Sequence, residues 1–252
     1  SCGETKITTS VKVTVRASLN AGSINGVQTI CYNDTPSILG NATSPTGGDG
    51  AYQYQWQYST NGSTGWTNIG GALSATYNPP ALISSRWYRR QVSSCGETKE
   101  TSGVKVTVNP ILNAGSINGT QTICYDSSPS QLGSAASASG GNGSYAYQWQ
   151  ESANNSTWVN ISGATTSVLN IGNLTSSRWY RRQVSSCGDT EVTTSVKVTV
   201  NPTLAAGGIG NAQTVCYGGN PSALTSTSVA SGGNGSYTYQ WQQSSNNSTW
   251  SD

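Results

Sequence analysis

Thirteen residues of this chain occur twice without a change: SSRWYRRQVSSCG runs from Ser84 to Gly96 and again from Ser176 to Gly188. The chain also opens on the last three letters of that string, Ser1-Cys2-Gly3. A verbatim repeat of this length means tandem duplication, so the fold must be a string of copies. Read as a strand, the stretch places Trp87, Arg89, Gln91 and Ser93 on one face and Tyr88, Arg90, Val92 and Ser94 on the other. The second face is the expected core face. Arg90 then needs a partner or a route for its head to reach water.

Trp56, Trp149 and Trp241 set the period, spaced by 93 and 92 residues. Cys31, Cys124 and Cys216 repeat those spacings, as do Cys2, Cys95 and Cys187. The expected division is the end of one repeat at 1–16, whole repeats at 17–110 and 111–202, and the front of another at 203–252. On this reading the chain is a window cut from a longer array.

Each copy ends in an alternating strand, VKVTV, at 11–15, 104–108 and 196–200, with the valines inward. Asn109-Pro110 and Asn201-Pro202 follow as junctions. Within a copy, AGSING and QTICY predict one or two short strands, and Ile38-Leu39 another. The glycine-rich loops at 47–50, 140–143 and 232–235 lack the Lys-Ser/Thr and the helix of a phosphate loop, and read as strand-connecting turns. AYQYQWQYS sets Tyr52, Tyr54, Trp56 and Tyr58 against Gln53, Gln55 and Gln57, with Trp56 as a core plug. A hairpin at 61–66 and an edge strand come next. No stretch shows helical periodicity. About seven short strands per repeat, separated by turn signals, predict an all-β sandwich.

The Trp on the third strand and the Tyr opening the sixth look like an immunoglobulin-type sandwich. The order of elements at Gln28–Cys31, Gly47–Gln57, Ile69–Ala72, Tyr88–Cys95 and Val104–Val108 resembles the Ig-like or PKD-like repeats of giant Bacteroidota surface proteins, including gliding-motility adhesins. That resemblance implies tandem immunoglobulin-like domains arranged head to tail, export by the type IX system and display at the cell surface.

Composition excludes several chemistries. The chain has no His, and its 10 acidic residues are scattered among 252. That leaves no general base of the usual kind and no carboxylate cluster for calcium. A formal charge of +2 leaves no footprint for nucleic acid, and no apolar run reaches a membrane span. No enzyme activity, cofactor or metal is expected.

Cysteines at fixed positions in a His-free chain point to disulfides, hence to an oxidising, extracellular setting. Cys31 lies just before the first turn and Cys95 in the turn between the last two strands, which an immunoglobulin-type layout puts at opposite poles. The preferred pairing is therefore between repeats, Cys31 with Cys187. Cys2, Cys95, Cys124 and Cys216 would then bond to repeats beyond the window. The alternative staples each repeat on its own, Cys31 with Cys95 and Cys124 with Cys187. Trp56, Trp149, Trp241, Tyr88 and Tyr180 are the expected core anchors. Arg86, Trp87 and Arg89, with Arg178, Trp179 and Arg181, are a candidate sugar face, Trp87 and Arg89 stacking as a cation–π pair; a cross-strand ladder against Gln53, Gln55 and Gln57 competes with it. The expected partners are neighbouring repeats, other copies in a filament, or surface polysaccharide.

Overall fold

The computed structural model describes residues 2–252, which divide into two compact units: 2–111 with Gly140–Asn142, and Leu112–Ser139 with Gly143–Asp252. The described residues contain strands and turns and no helix. This follows from a sequence in which apolar residues alternate over short runs separated by turn-forming residues.

In the first unit the strands are β1 (Ser23–Ile24), β2 (Gln28–Ile30), β3 (Asn41–Thr43), β4 (Gln53–Ser59), β5 (Thr67–Asn68), β6 (Arg86–Ser94), β7 (Glu97–Glu100) and β8 (Val104–Val108). The larger sheet has the order β2-β8-β6-β4-β5, with β7 also paired to β6. β7 and β8 behave as one return strand broken at 101–103. Across the break Thr101 N–H donates to the Arg90 carbonyl at 3.0 Å, and Arg90 N–H donates to Thr101 Oγ1 at 3.1 Å. β2 runs parallel to β8, setting Ile30 beside Val108. The smaller layer joins β1 to β3 and is extended by single bridges, Leu39 with Tyr77 and Asp34 with Leu82. The Ile38-Leu39 strand of the sequence reading is thus one bridged residue.

Between the layers lie Ile24, Leu39, Trp56, Leu82, Tyr88, Val104 and Val106, with a second cluster of Leu19, Ala21 and Val92 packed by Tyr52 and Tyr54. Alternation decides which residues enter. Tyr88, Arg90, Val92 and Ser94 point inward from β6, and Trp56 meets Arg90 across the β4–β6 pair.

The second unit repeats the plan with β9 (Ser116–Ile117), β10 (Gln121–Ile123), β11 (Ser134–Ala136), β12 (Ala146–Ser152), β13 (Val159–Asn160), β14 (Arg178–Ser186), β15 (Asp189–Val192) and β16 (Val196–Val200). Its larger sheet is β10-β16-β14-β12-β13, and Ile117, Leu132, Trp149, Leu169, Tyr180, Val196 and Val198 fill the core. Residues 203–252 add only β17 (Gly208–Gly210) and β18 (Thr225–Ser228), which pair with each other.

Two expectations fail at the ends of the chain. Residues 7–15 form no strand, and Val11, Val13 and Val15 are exposed. β8 and β16 are held by two neighbours each, and the described residues before position 7 contain no counterpart of either. Trp241 is no core plug but 56% exposed. Residues 203–252 have no counterpart of β6 or β14, the strands that close over Trp56 and Trp149.

Candidate functional site

The cysteine-bearing turns come first, since repetition makes them fixed features. Cys95-Gly96 is the two-residue connection from β6 to β7, with φ of 52° and 80°; Cys187-Gly188 does the same between β14 and β15 at 59° and 82°. Left-handed conformation at both positions is the type I′ hairpin, which matches strand twist and ordinarily recruits Asn-Gly. Cys31 follows β2, at the end of the sheet where β8 finishes. The Cys95 turn is at the other end of the nine-residue β6, roughly 27 Å away at strand rise. A disulfide needs Cα atoms within about 7 Å.

Cys31 and Cys187 are disulfide-bonded, while Cys2, Cys95, Cys124 and Cys216 are exposed free thiols. The within-repeat pairs Cys31 with Cys95 and Cys124 with Cys187 therefore do not form, for the distance reason just given. The bonded cysteines are both half-buried.

Around the Cys95 turn, side chains tie the hairpin to the start of its own repeat. Glu97 Oε2 accepts from Leu19 N–H at 2.8 Å and from Ser18 Oγ at 3.2 Å, and these bonds hold its carboxyl below the ordinary range. Ser94 Oγ donates to Asp49 Oδ1 at 2.7 Å; that bond, then the one from Ala51 N–H, lowers Asp49. Gly48 in the loop has φ of +63°, and a Cβ there would sit 2.3 Å from Ser94 Oγ. Close approach to the hairpin explains this glycine without any phosphate.

The Arg–Trp cluster does not form one face. Alternation turns Arg86 to the side of Tyr88, where its guanidinium stacks on Tyr58 at 4.8 Å, leaving only Trp87 and Arg89 outside. Arg89 stacks on Trp66, not on Trp87, at 4.5 Å, and its Nε donates to Gln57 Oε1 at 2.7 Å. Gly62 lies against the Trp87 ring, where a Cβ would come within 2.5 Å of the indole. The second repeat is alike. Arg181 stacks on Trp158 at 4.3 Å and donates to Gln150 at 2.7 Å, Lys197 sits over Trp179 at 5.6 Å, and Arg178 faces Glu151 at 3.9 Å. Both arginines and both indoles thus have partners inside their own unit: Gln57, Gln150 and Lys197 across the strands, and Trp66, Trp158 and Gly62 in the adjoining turns.

The buried arginines were the least readable feature. Arg90 and Arg182 are fully buried. Arg90 lies over the rings of Tyr54 at 4.7 Å and Trp56 at 5.6 Å, and its Nη1 donates to the Ala75 carbonyl. Arg182 repeats this over Tyr147 and Trp149, donating to Ser134 Oγ and the Ser167 carbonyl. The partners of each guanidinium are ring faces and carbonyls, with one hydroxyl for Arg182, and loss of hydration draws both pKa values down. Burial likewise pushes Tyr88 and Tyr180 up to about 12. The inward alternation signalled Arg90; its aromatic partners, 34 and 36 positions back in the sequence, carried no such signal.

Among the described residues no group of His, Cys, Asp or Glu could hold a metal ion, and no helix is long and apolar enough to cross a membrane.

Two layers of short strands, with a Trp on the fourth strand plugging a core opposite a buried Tyr, define an immunoglobulin-like β-sandwich, repeated along the chain. The family described as Domain of unknown function (DUF8696) matches residues 20–110, 113–202 and 205–252, and the chain belongs to it. No curated protein matches the chain in sequence. Solved structures similar to it include the N-terminal four Ig domains of Dscam1 isoform 6.9, at 13% identity and a TM-score of 0.34, covering 72% of this chain and 46% of that one. Domains A168–A170 of titin align at 13% identity and a TM-score of 0.43, covering 74% and 68%. Murine CEACAM1b aligns at 16% and 0.33, covering 73% and 100%. The chain spans about half the length of the Dscam1 structure.

Proposed function

We propose that this chain is a stalk segment of a large secreted bacterial surface adhesin of the Bacteroidota type, exported by the type IX system and displayed outside the cell. Its work is mechanical and needs no catalytic group. Repeats at 17–110 and 111–202, flanked by the end of one copy at 1–16 and the front of another at 203–252, hold an adhesive tip away from the surface.

The observation that carries this reading is the state of the cysteines. Cys31 and Cys187 are in disulfide linkage while Cys95 and Cys124 are free thiols. We take Cys31 of one repeat to be bonded to Cys187 in the hairpin of the next, one covalent staple per junction, with Cys2, Cys95, Cys124 and Cys216 completing the same series with further copies. Staples of this kind stiffen a chain of small domains whose cores are limited.

A non-reducing peptide map of the native protein tests the pairing. A fragment joining Cys31 to Cys187 is expected; Cys31 joined to Cys95 would overturn it. The competing function, an array of weak polysaccharide sites, needs an open aromatic face, whereas Trp87 is covered by Gly62 and Arg89 is spent on Gln57 and Trp66. Saturable binding of the chain on a glycan array would restore that reading.

A further inference from the structure

A disulfide that joins distant parts of a chain does more than stiffen it; it also decides which residues can be stretched. We infer that the oxidised chain is a length-limited tether, whose limit is released by reduction. This rests on the Cys31–Cys187 pairing proposed above.

The argument is one of connectivity. Tension applied at the two ends enters along residues 1–31, crosses the sulfur–sulfur bond and leaves along 187–252, which together make 97 residues. The 155 residues numbered 32–186 lie in a closed loop and are no part of the covalent path between the ends. That loop contains β3 to β8 and β9 to β14, with Trp56, Arg90, Trp149 and Arg182. Unfolding them adds nothing to the end-to-end length. At about 3.5 Å per residue the loaded path reaches roughly 340 Å, against roughly 880 Å for the open chain.

The periodicity extends the consequence. After crossing to Cys187, the loaded path follows β15, β16 and β17 to Cys216, which is 29 residues further on. A staple there repeats the crossing. From Cys31 to Cys216 the chain has 185 residues, so a fully stapled array exposes about 100 Å of every roughly 650 Å of chain to stretching. Force then passes along β15 and β16, the return strands of the second unit's larger sheet, and bypasses the β12–β14 pair that holds the core Trp and Arg.

Reduction opens the lock by a balanced exchange. A dithiol's thiolate attacks one sulfur, the Cys31–Cys187 bond breaks, and a mixed disulfide forms. The second thiol displaces it. Two electrons and two protons pass to Cys31 and Cys187, which become thiols, and the reagent leaves as a cyclic disulfide.

The test stretches the 252-residue chain by its two termini in a single-molecule force instrument, with and without a dithiol, beside a non-reducing peptide map of the same sample. The expected result is a final length near 340 Å when oxidised and near 880 Å when reduced, a gain of about 540 Å at about 3.5 Å per residue. Cys31→Ser with Cys187→Ser should reach the longer value without reductant. A map lacking the Cys31–Cys187 fragment sinks the pairing and the limit together. A map containing it, with full extension before any reductant is added, leaves the pairing standing and overturns the limit. So would an intermediate length from exchange under load onto the free thiols of Cys95 or Cys124.

Discussion

The same five letters, VKVTV, occur three times in this molecule and meet two fates. At 104–108 and 196–200 they are strands, each held by two neighbours, with Val106 and Val198 at 0% exposure. At 11–15 they form no strand, and Val13 is 84% exposed. Trp56, Trp149 and Trp241 divide the same way: the first two are sealed in cores, and the third stands in the open. Strand propensity is identical in the three VKVTV copies, so propensity is not what builds the sandwich. A strand exists where its neighbours can satisfy its amides and cover one face.

This contrast can be broken or sharpened by substitution. Trp149→Ala removes a fully buried indole and should cost about 3–5 kcal/mol in denaturant unfolding of the second unit. Trp241→Ala should stay within about 0.5 kcal/mol, as at exposed positions elsewhere. Extending the chain past Asp252 with a copy of residues 161–202 supplies the missing partners. Trp241 emission should then shift to the blue, and Trp241→Ala should become as costly as Trp149→Ala. An unchanged emission would mean that partner strands are not what Trp241 lacks.

The valines test the same idea at smaller scale. Val106→Ala should cost about 2 kcal/mol from lost burial, and Val13→Ala almost nothing. Equal costs in equilibrium unfolding would contradict the contrast. Next in size, Trp66→Ala strips the ring from Arg89 and should cost roughly 0.5–1 kcal/mol. Trp250→Ala, at the matching but exposed position, should not register.

The smallest effect separates the two complete repeats by pH. Hydrogen bonds hold Asp49 and Glu97 below their ordinary values of 3.8 and 4.5. A depressed carboxyl contributes stability that is full above its unfolded value and lost as pH falls through the lower folded one. The first repeat should therefore weaken as pH drops below about 4. In the second repeat Asn142 stands where Asp49 does and cannot titrate. Asp49→Asn should flatten part of the acid dependence followed by Tyr and Trp fluorescence; an unaltered profile would assign that dependence to other groups.

Much of the fold was legible because it is periodic. Spacings of 93 and 92 residues announced the repeats, and alternation in RWYRRQVSS put Tyr88, Arg90 and Val92 on the inward face. Alternation also held the answer to the Arg–Trp cluster, since Arg86 and Trp87 are adjacent and must diverge. What stayed illegible were pairings between strands. Arg89 chose Trp66, 23 residues away in sequence, and Arg90 chose two rings on β4.

By itself, then, the amino-acid order determined the repeat, the β class and the inward faces, and it left two cysteine pairings open. The first three follow from local geometry, a two-residue side-chain period and a fixed spacing between copies. Only the tertiary structure decided which identical segments become strands, which Trp is sealed, and how a buried arginine lives without a carboxylate. Each of these depends on surfaces brought together from distant positions, and burial is a property of the surroundings a residue ends up in.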